Sequence, residues 1–140
     1  MALQNEKCVL VLDEHLPLGL VVNTAAILGI TIGKEHPQMV GASVRDQTGS
    51  THMGITTLPI PILKSSAEGI KGLREKLFEP EFQGLTVVDF SDLAQGCGSY
   101  DDFTEKMAES PEERLTYLGV AICGPRKAVN RLTGSLPLLR

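Results

Sequence analysis

The last two dozen residues constrain the fold more than any other part of the chain. From Tyr117 to Cys123 the residues are apolar or glycine without a break, the pattern of a strand buried on both faces. Gly124 and Pro125 then form a hinge, with the proline suited to a first helical turn, where its missing N–H has no partner to lose. Ala128, Val129 and Leu132 share one face of the segment that follows, which predicts a short helix folding back onto its own strand. Gly134 is placed to close that helix with a left-handed residue. The apolar tail to Leu139 must dock on something.

Upstream, strands and helices alternate. Lys7–Asp13 reads as a buried strand, followed by a turn through Pro17 and a helix over residues 18–33 that is apolar almost all round. Such a helix is buried or forms an interface. Ala25, Gly29 and Gly33 recur every four residues along it, a small-residue stripe that predicts close approach of a neighbour. Residues 39–45 and 51–57 read as strands of a hairpin around Asp46–Ser50. The two prolines of residues 58–63 predict a sheet edge or an extended crossing segment. A helix over 67–78, a strand over 85–89, a loop over 91–98 and a helix over 100–109 lead to the final strand. The pattern predicts an α/β fold: one three-layer domain over residues 1–140, with a mixed, largely parallel sheet and helices on both faces.

Composition narrows the class. Hydrophobic residues make up 42% and charged residues 21% of the chain, ordinary values for a packed globule. The apolar stretch 18–32 is interrupted by Asn23, Thr24 and Thr31 and falls short of the roughly 20 residues of a spanning helix. Residues 1–7 carry no signal-like apolar run. No membrane association is therefore expected. Three scattered cysteines, Cys8, Cys97 and Cys123, point to reduced thiols in a cytoplasmic protein. Net charge is −4, yet segment 79–113 holds ten acids and one base, and segment 114–140 five bases and no acid. Two surfaces of opposite sign could meet across a subunit contact, or each could be an ordinary solvated face. Nucleic-acid binding is not expected, since aromatics and basic residues do not interleave.

Candidate chemistry is sparse. Asp13 and His15 follow the first strand at its carboxyl end, where open α/β sheets bind ligands, and a carboxylate beside an imidazole can act as a general base. His52 is a second imidazole. Cys97 lies between two glycines that would let a ligand approach, but its acidic surroundings oppose thiolate formation. The hinge at Gly124, with Arg126 and Lys127, offers free helix amides to an anion. His15, His36 and His52 lack metal-ligand spacing, so neither metal nor cofactor is expected.

A strand ending in aspartate, a glycine at the mouth of a long helix, and the closing strand–hinge–helix segment together resemble type 2 peptidyl-tRNA hydrolase. More closely, nearly the whole chain is similar to an uncharacterised bacterial family sharing that fold, through residues 51–63 and 124–134. The resemblance implies a three-layer domain and a homodimer, which the apolar helix 18–33 would join. It also implies a cleft at Leu18, Gly19, Leu20 and Asn23. The hydrolases carry Lys-Gly-Lys where this chain has Leu18, Gly19 and Leu20, and polar groups where it has Thr24 and Ile27. Their loop aspartate has loose counterparts in Asp89 and Asp92. Leucine cannot hold a phosphate or stabilise an oxyanion. The expected function is therefore a non-catalytic small-ligand-binding or regulatory module. The alternative is a hydrolase of a small acyl or peptidyl compound using Asp13, His15, His52, Asp89 or Asp92.

Overall fold

The computed structural model describes residues 5–140; the first four residues of the polar N-terminal stretch lie outside it. Strand β1 (Glu6–Asp13) is followed by helix α1 (Leu18–Glu35), and a hairpin then joins β2 (Val44–Arg45) to β3 (Thr51–His52). Strand β4 (Ile62–Ser65) leads to helix α2 (Ala67–Lys76), and β5 (Thr86–Ser91) to α3 (Asp92–Gln95) and α4 (Tyr100–Glu109). The chain closes with β6 (Tyr117–Pro125) and α5 (Arg126–Thr133).

The main sheet has the order β4-β1-β6-β5. It is mixed, as expected, but not largely parallel in its pairing. Only β1 and β4 pair parallel, while β6 lies antiparallel between β1 and β5. The final strand inserts into the middle of the sheet instead of adding to its edge, which is why it is buried from Tyr117 to Gly124.

Side-chain alternation along β1 builds two cores. Cys8, Leu10 and Leu12 face α1, where they meet Leu28 and Ile32. Val9 and Val11 face the other way, toward Ile70 of α2 and Val129 of α5. The register of β5 on β6 slips between Phe90 and Ser91, so Leu118 and Val120, two apart in β6, enter opposite cores. By length and composition alone α1 could cross a membrane, with mean hydropathy 1.3 over 18 residues. Its Val21, Thr24, Leu28 and Ile32 are buried at helical spacing against the sheet.

Several local expectations need correction. The close approach of α1 to the sheet occurs at Thr24 and Gly119, not at the small-residue stripe, because Gly29 and Gly33 face open space. Pro125 ends β6 and precedes the first turn of α5. Gly134 is right-handed (φ −62°), and its lack of a side chain serves a close approach to the Asn130 carbonyl. Among the described residues, only Gly49 in the hairpin turn has positive φ. The hairpin strands are two residues long each, since its exposed arm has no core to template longer pairing. Residues 92–95, expected as loop, form a short helix capped by Ser91, whose Oγ accepts from Ala94 N–H at 3.2 Å.

The C-terminal tail does dock. Leu139 N–H donates to Ile62 O at 2.8 Å and Lys64 N–H to Pro137 O at 2.9 Å. The tail thereby covers the outer edge of β4.

Candidate functional site

The carboxyl end of β1 holds Asp13 and His15, but not as a catalytic pair. Asp13 is buried, and its Oδ1 accepts the backbone N–H of His15 at 2.9 Å. This turn-forming bond commits the carboxylate to local structure, and the His15 side chain is exposed. Beyond the turn, Leu18 is 79% exposed and Gly19 and Asn23 are exposed, while Leu20 leans on the core. None of these four lines any of the cavities described below.

The remaining candidates stand apart. Asp89 points to the α2 side of the sheet, where its Oδ2 accepts Arg74 Nε at 2.7 Å. Arg74 also stacks on the Phe78 ring at 3.7 Å. Asp92 Oδ1 accepts the N–H groups of Leu93 and Thr116, at 2.9 and 3.1 Å, pinning the chain after β5 to the start of β6. His52 Nε2 meets Asp46 Oδ2 at 2.7 Å on the exposed hairpin. That contact, followed by the Ser50 N–H, holds the Asp46 carboxyl below its ordinary range. Gly124 is buried in β6, where a Cβ would overlap the Leu85 side chain; it serves packing and is not open to a ligand. Among the described residues, no three His, Cys, Asp or Glu side chains cluster as metal ligands.

Two larger hollows remain. One, of about 460 Å³, lies beside Lys71. The Lys71 ammonium donates to the carbonyls of Glu112 and Leu115 at 2.7 and 2.6 Å and lies 5.0 Å from the Tyr117 ring centre. Tyr117 in turn donates its hydroxyl to Glu112 at 2.8 Å, and burial, then this bond, pushes the phenol up. The cation is consumed in tying α2 to the loop before β6.

The other hollow, of about 470 Å³, is a groove between α1, β5 and the turn into α4. Ile27 and Thr31 of α1 form one wall, and Val88 and Phe90 of β5 the floor. Cys97, Tyr100 and Phe103 close the far side. Tyr100 and Phe103 meet edge to face with ring centres 5.5 Å apart, and Tyr100 is 78% exposed. Cys97 donates its thiol to Leu93 O at 3.2 Å. Desolvation first, then the Asp102 charge, pushes this thiol up, so the acidic surroundings act in the direction read from the sequence.

Of the residues singled out by sequence, the groove collects Cys97, Ile27 and the backbone around Asp89. Thr31, Phe90, Tyr100 and Phe103 were not foreseen. The available signal was two aromatics at i and i+3 opening an otherwise polar helix. Ser99 lies in the wall but its Oγ already accepts from Asp102 N–H at 3.1 Å as the cap of α4. The groove therefore offers apolar surface, an aromatic pair and a neutral thiol, with no acid–base pair.

No curated protein matches this chain. Among solved structures, it is similar to the protein of unknown function Atu0240 from Agrobacterium tumefaciens str. C58, with a TM-score of 0.85. The two are 18% identical over 96% of this chain and 97% of the other, which shows a shared fold. A family model described as protein of unknown function (DUF2000) matches residues 6–140. On that match, which spans all but the first five residues, the chain belongs to the DUF2000 family.

Proposed function

We propose that this protein is a non-catalytic binding module, with its site in the groove between α1, β5 and the turn into α4. One observation carries the reading. Asp13, Asp89, Asp92 and His52 are each committed elsewhere and the exposed His15 does not line the groove, while the groove is mainly apolar and of a volume ordinary for small-ligand sites. The ligand class that fits is a small apolar or aromatic group.

The likeness to type 2 peptidyl-tRNA hydrolase belongs to the same proposal. It is supported by the strand ending in Asp13, the long helix after it and the closing β6–α5 unit. Leu18 and Leu20, in place of that family's lysines, argue against its hydrolysis. The test is a fragment screen by NMR with small aromatic probes such as indole and benzoate. Shifts confined to Ile27, Val88, Cys97 and Phe103 are expected. Shifts centred instead on Leu18–Asn23, or none at millimolar probe, would overturn the assignment. The competing reading, hydrolysis of a small acyl or peptidyl compound, requires loss of turnover on alanine substitution at His15 or His52.

The expected homodimer is part of the proposal. Leu18, Val22 and Ile30 of α1 are 79, 59 and 75% exposed, and nothing beyond the helix's own adjoining residues lies within 4 Å of a Cβ built at Gly29 or Gly33. A second copy packed there would remove that apolar face from water.

A further inference from the structure

The two edges of the main sheet are treated differently. The outer edge of β4 is paired by the chain's own tail, through the bonds of Leu139 and Lys64 and a bridge between Leu63 and Leu138. The outer edge of β5 has no such cover. Among the described residues, no backbone group of Thr86–Phe90 bonds on the side away from β6; the other bonds of this stretch are made by side chains, His36 to the Thr86 hydroxyl and Arg74 to the Asp89 carboxylate. A bare edge presents unpaired N–H and C=O groups, and proteins ordinarily blunt it with a lysine, proline or bulge. Thr86–Phe90 contains neither lysine nor proline, and the register slip falls only at its end. The groove opens beside this edge, floored by Val88 and Phe90 of the same strand.

We infer that β5 accepts an extended peptide as a fifth strand, with one or two of its apolar side chains in the groove and basic side chains beside them. The inference rests on the binding-module reading and names its partner. Strand addition matches the geometry because an exposed edge supplies affinity through main-chain bonds and a neighbouring pocket supplies specificity. The basic character follows from charge. The segment from Glu79 to Glu113 that contains β5 and α4 holds ten acids and one base. Asp101 and Glu105 stand exposed on α4 with no ion pair among the described residues, and no Lys or Arg lines the groove. The same charge disfavours a second copy of this edge, since two-fold pairing would bring like charges together.

The test uses the full chain and three capped hexapeptides: lysine alternating with valine and phenylalanine, its glutamate twin, and the lysine peptide N-methylated at alternate residues. Binding is followed by NMR and amide exchange. The expected result is slowed exchange at those amides of Thr86–Phe90 that face away from β6. Both twins should bind at least about tenfold more weakly, and the affinity of the lysine peptide should fall with added salt. Equal binding of the N-methylated peptide, or binding with unchanged β5 exchange, would overturn strand addition. Binding of aromatic probes without peptide binding would overturn this inference and leave the groove assignment standing; failure of both probes would overturn both. Concentration-dependent protection of β5 without peptide would assign the edge to a second copy and refute the peptide.

Discussion

Substituting Gly119 by alanine tests how closely α1 is pressed against the sheet. A Cβ at this position would lie 2.7 Å from Leu12 Cδ2, 2.8 Å from Thr24 Cγ2 and 3.2 Å from Val11 O. Carbon atoms in contact prefer 3.5–4.0 Å. Leu12 is 1% exposed and Thr24 fully buried, so neither has free space to move into. Thr24 is further held by its hydroxyl, which donates to Leu20 O at 2.7 Å. Overpacking of this kind costs about 1–3 kcal/mol, while the stiffer unfolded chain returns about 0.4–1 kcal/mol. The net expectation is a loss of about 1–2 kcal/mol in urea unfolding, with an unchanged denaturant slope. Thr24→Ser removes one of the two clashing methyls, so the double variant should be more stable than the sum of the two single losses implies, with a coupling of at least about 0.5 kcal/mol. Gly72→Ala in α2 is the control: no atom lies within 4 Å, and helix propensity should stabilise it by about 0.5–1 kcal/mol. A Gly119→Ala protein as stable as its parent would refute the close helix–sheet approach.

Asp89→Asn leaves Arg74, at 12% side-chain exposure, without its charged partner and should cost about 1–3 kcal/mol in urea unfolding; a neutral result would show the pair to be solvated. Because desolvation and then Asp102 push the Cys97 thiol up, its alkylation by iodoacetamide should rise with pH only above the range of an ordinary thiol, and Asp102→Asn should speed it at pH 8. A rate profile like that of free cysteine would contradict this. Truncation after Ser135 removes Leu136 and Leu139, half-buried against opposite cores, and uncovers β4; the expected loss is about 2–4 kcal/mol. Sedimentation velocity at micromolar concentration should show a dimer of the 15.1 kDa chain that Ile30→Glu dissociates; a monomer in both cases would remove the proposed pairing through α1.

What was legible in the chain and what was not divides along physical lines. Strand β1 and helices α1 and α4 could be read within two residues because their patterns are local: a continuous apolar run, a long apolar helix and a capped polar helix. Strand order is not local. The apolar run of β6 predicts burial on both faces, but whether it lies parallel at an edge or antiparallel in the centre depends on how the 96–116 excursion returns, which no periodicity encodes. The left-handed reading of Gly134 failed for a related reason: closing a helix and clearing the Asn130 carbonyl both select glycine. Open α/β sheets bind ligands at the carboxyl ends of their strands, which points to the end of β1. There, however, Asp13 is taken up by the turn. The groove is assembled from α1, β5 and α4, three segments far apart in sequence, so of its lining only Ile27, Asp89 and Cys97 carry a sequence signal.

The acidic segment 79–113 and the basic segment 114–140 meet within one fold. Read as text, ten acids followed by five bases suggest complementary surfaces on two subunits. In the fold, much of that charge is settled within one chain. Asp89 meets Arg74, Glu112 meets Lys71, Asp102 meets Lys106, and Glu81 of the acidic segment meets Arg131 of the basic one at 3.8 Å. The exposed pairs among them contribute little stability, but all four remove their acids from recognition. Asp101, Glu105 and Glu109, without an ion pair among the described residues, stand on the helix that walls the groove. A basic partner, as proposed, would meet these acids on the helix that walls the groove, beside the uncovered outer edge of β5.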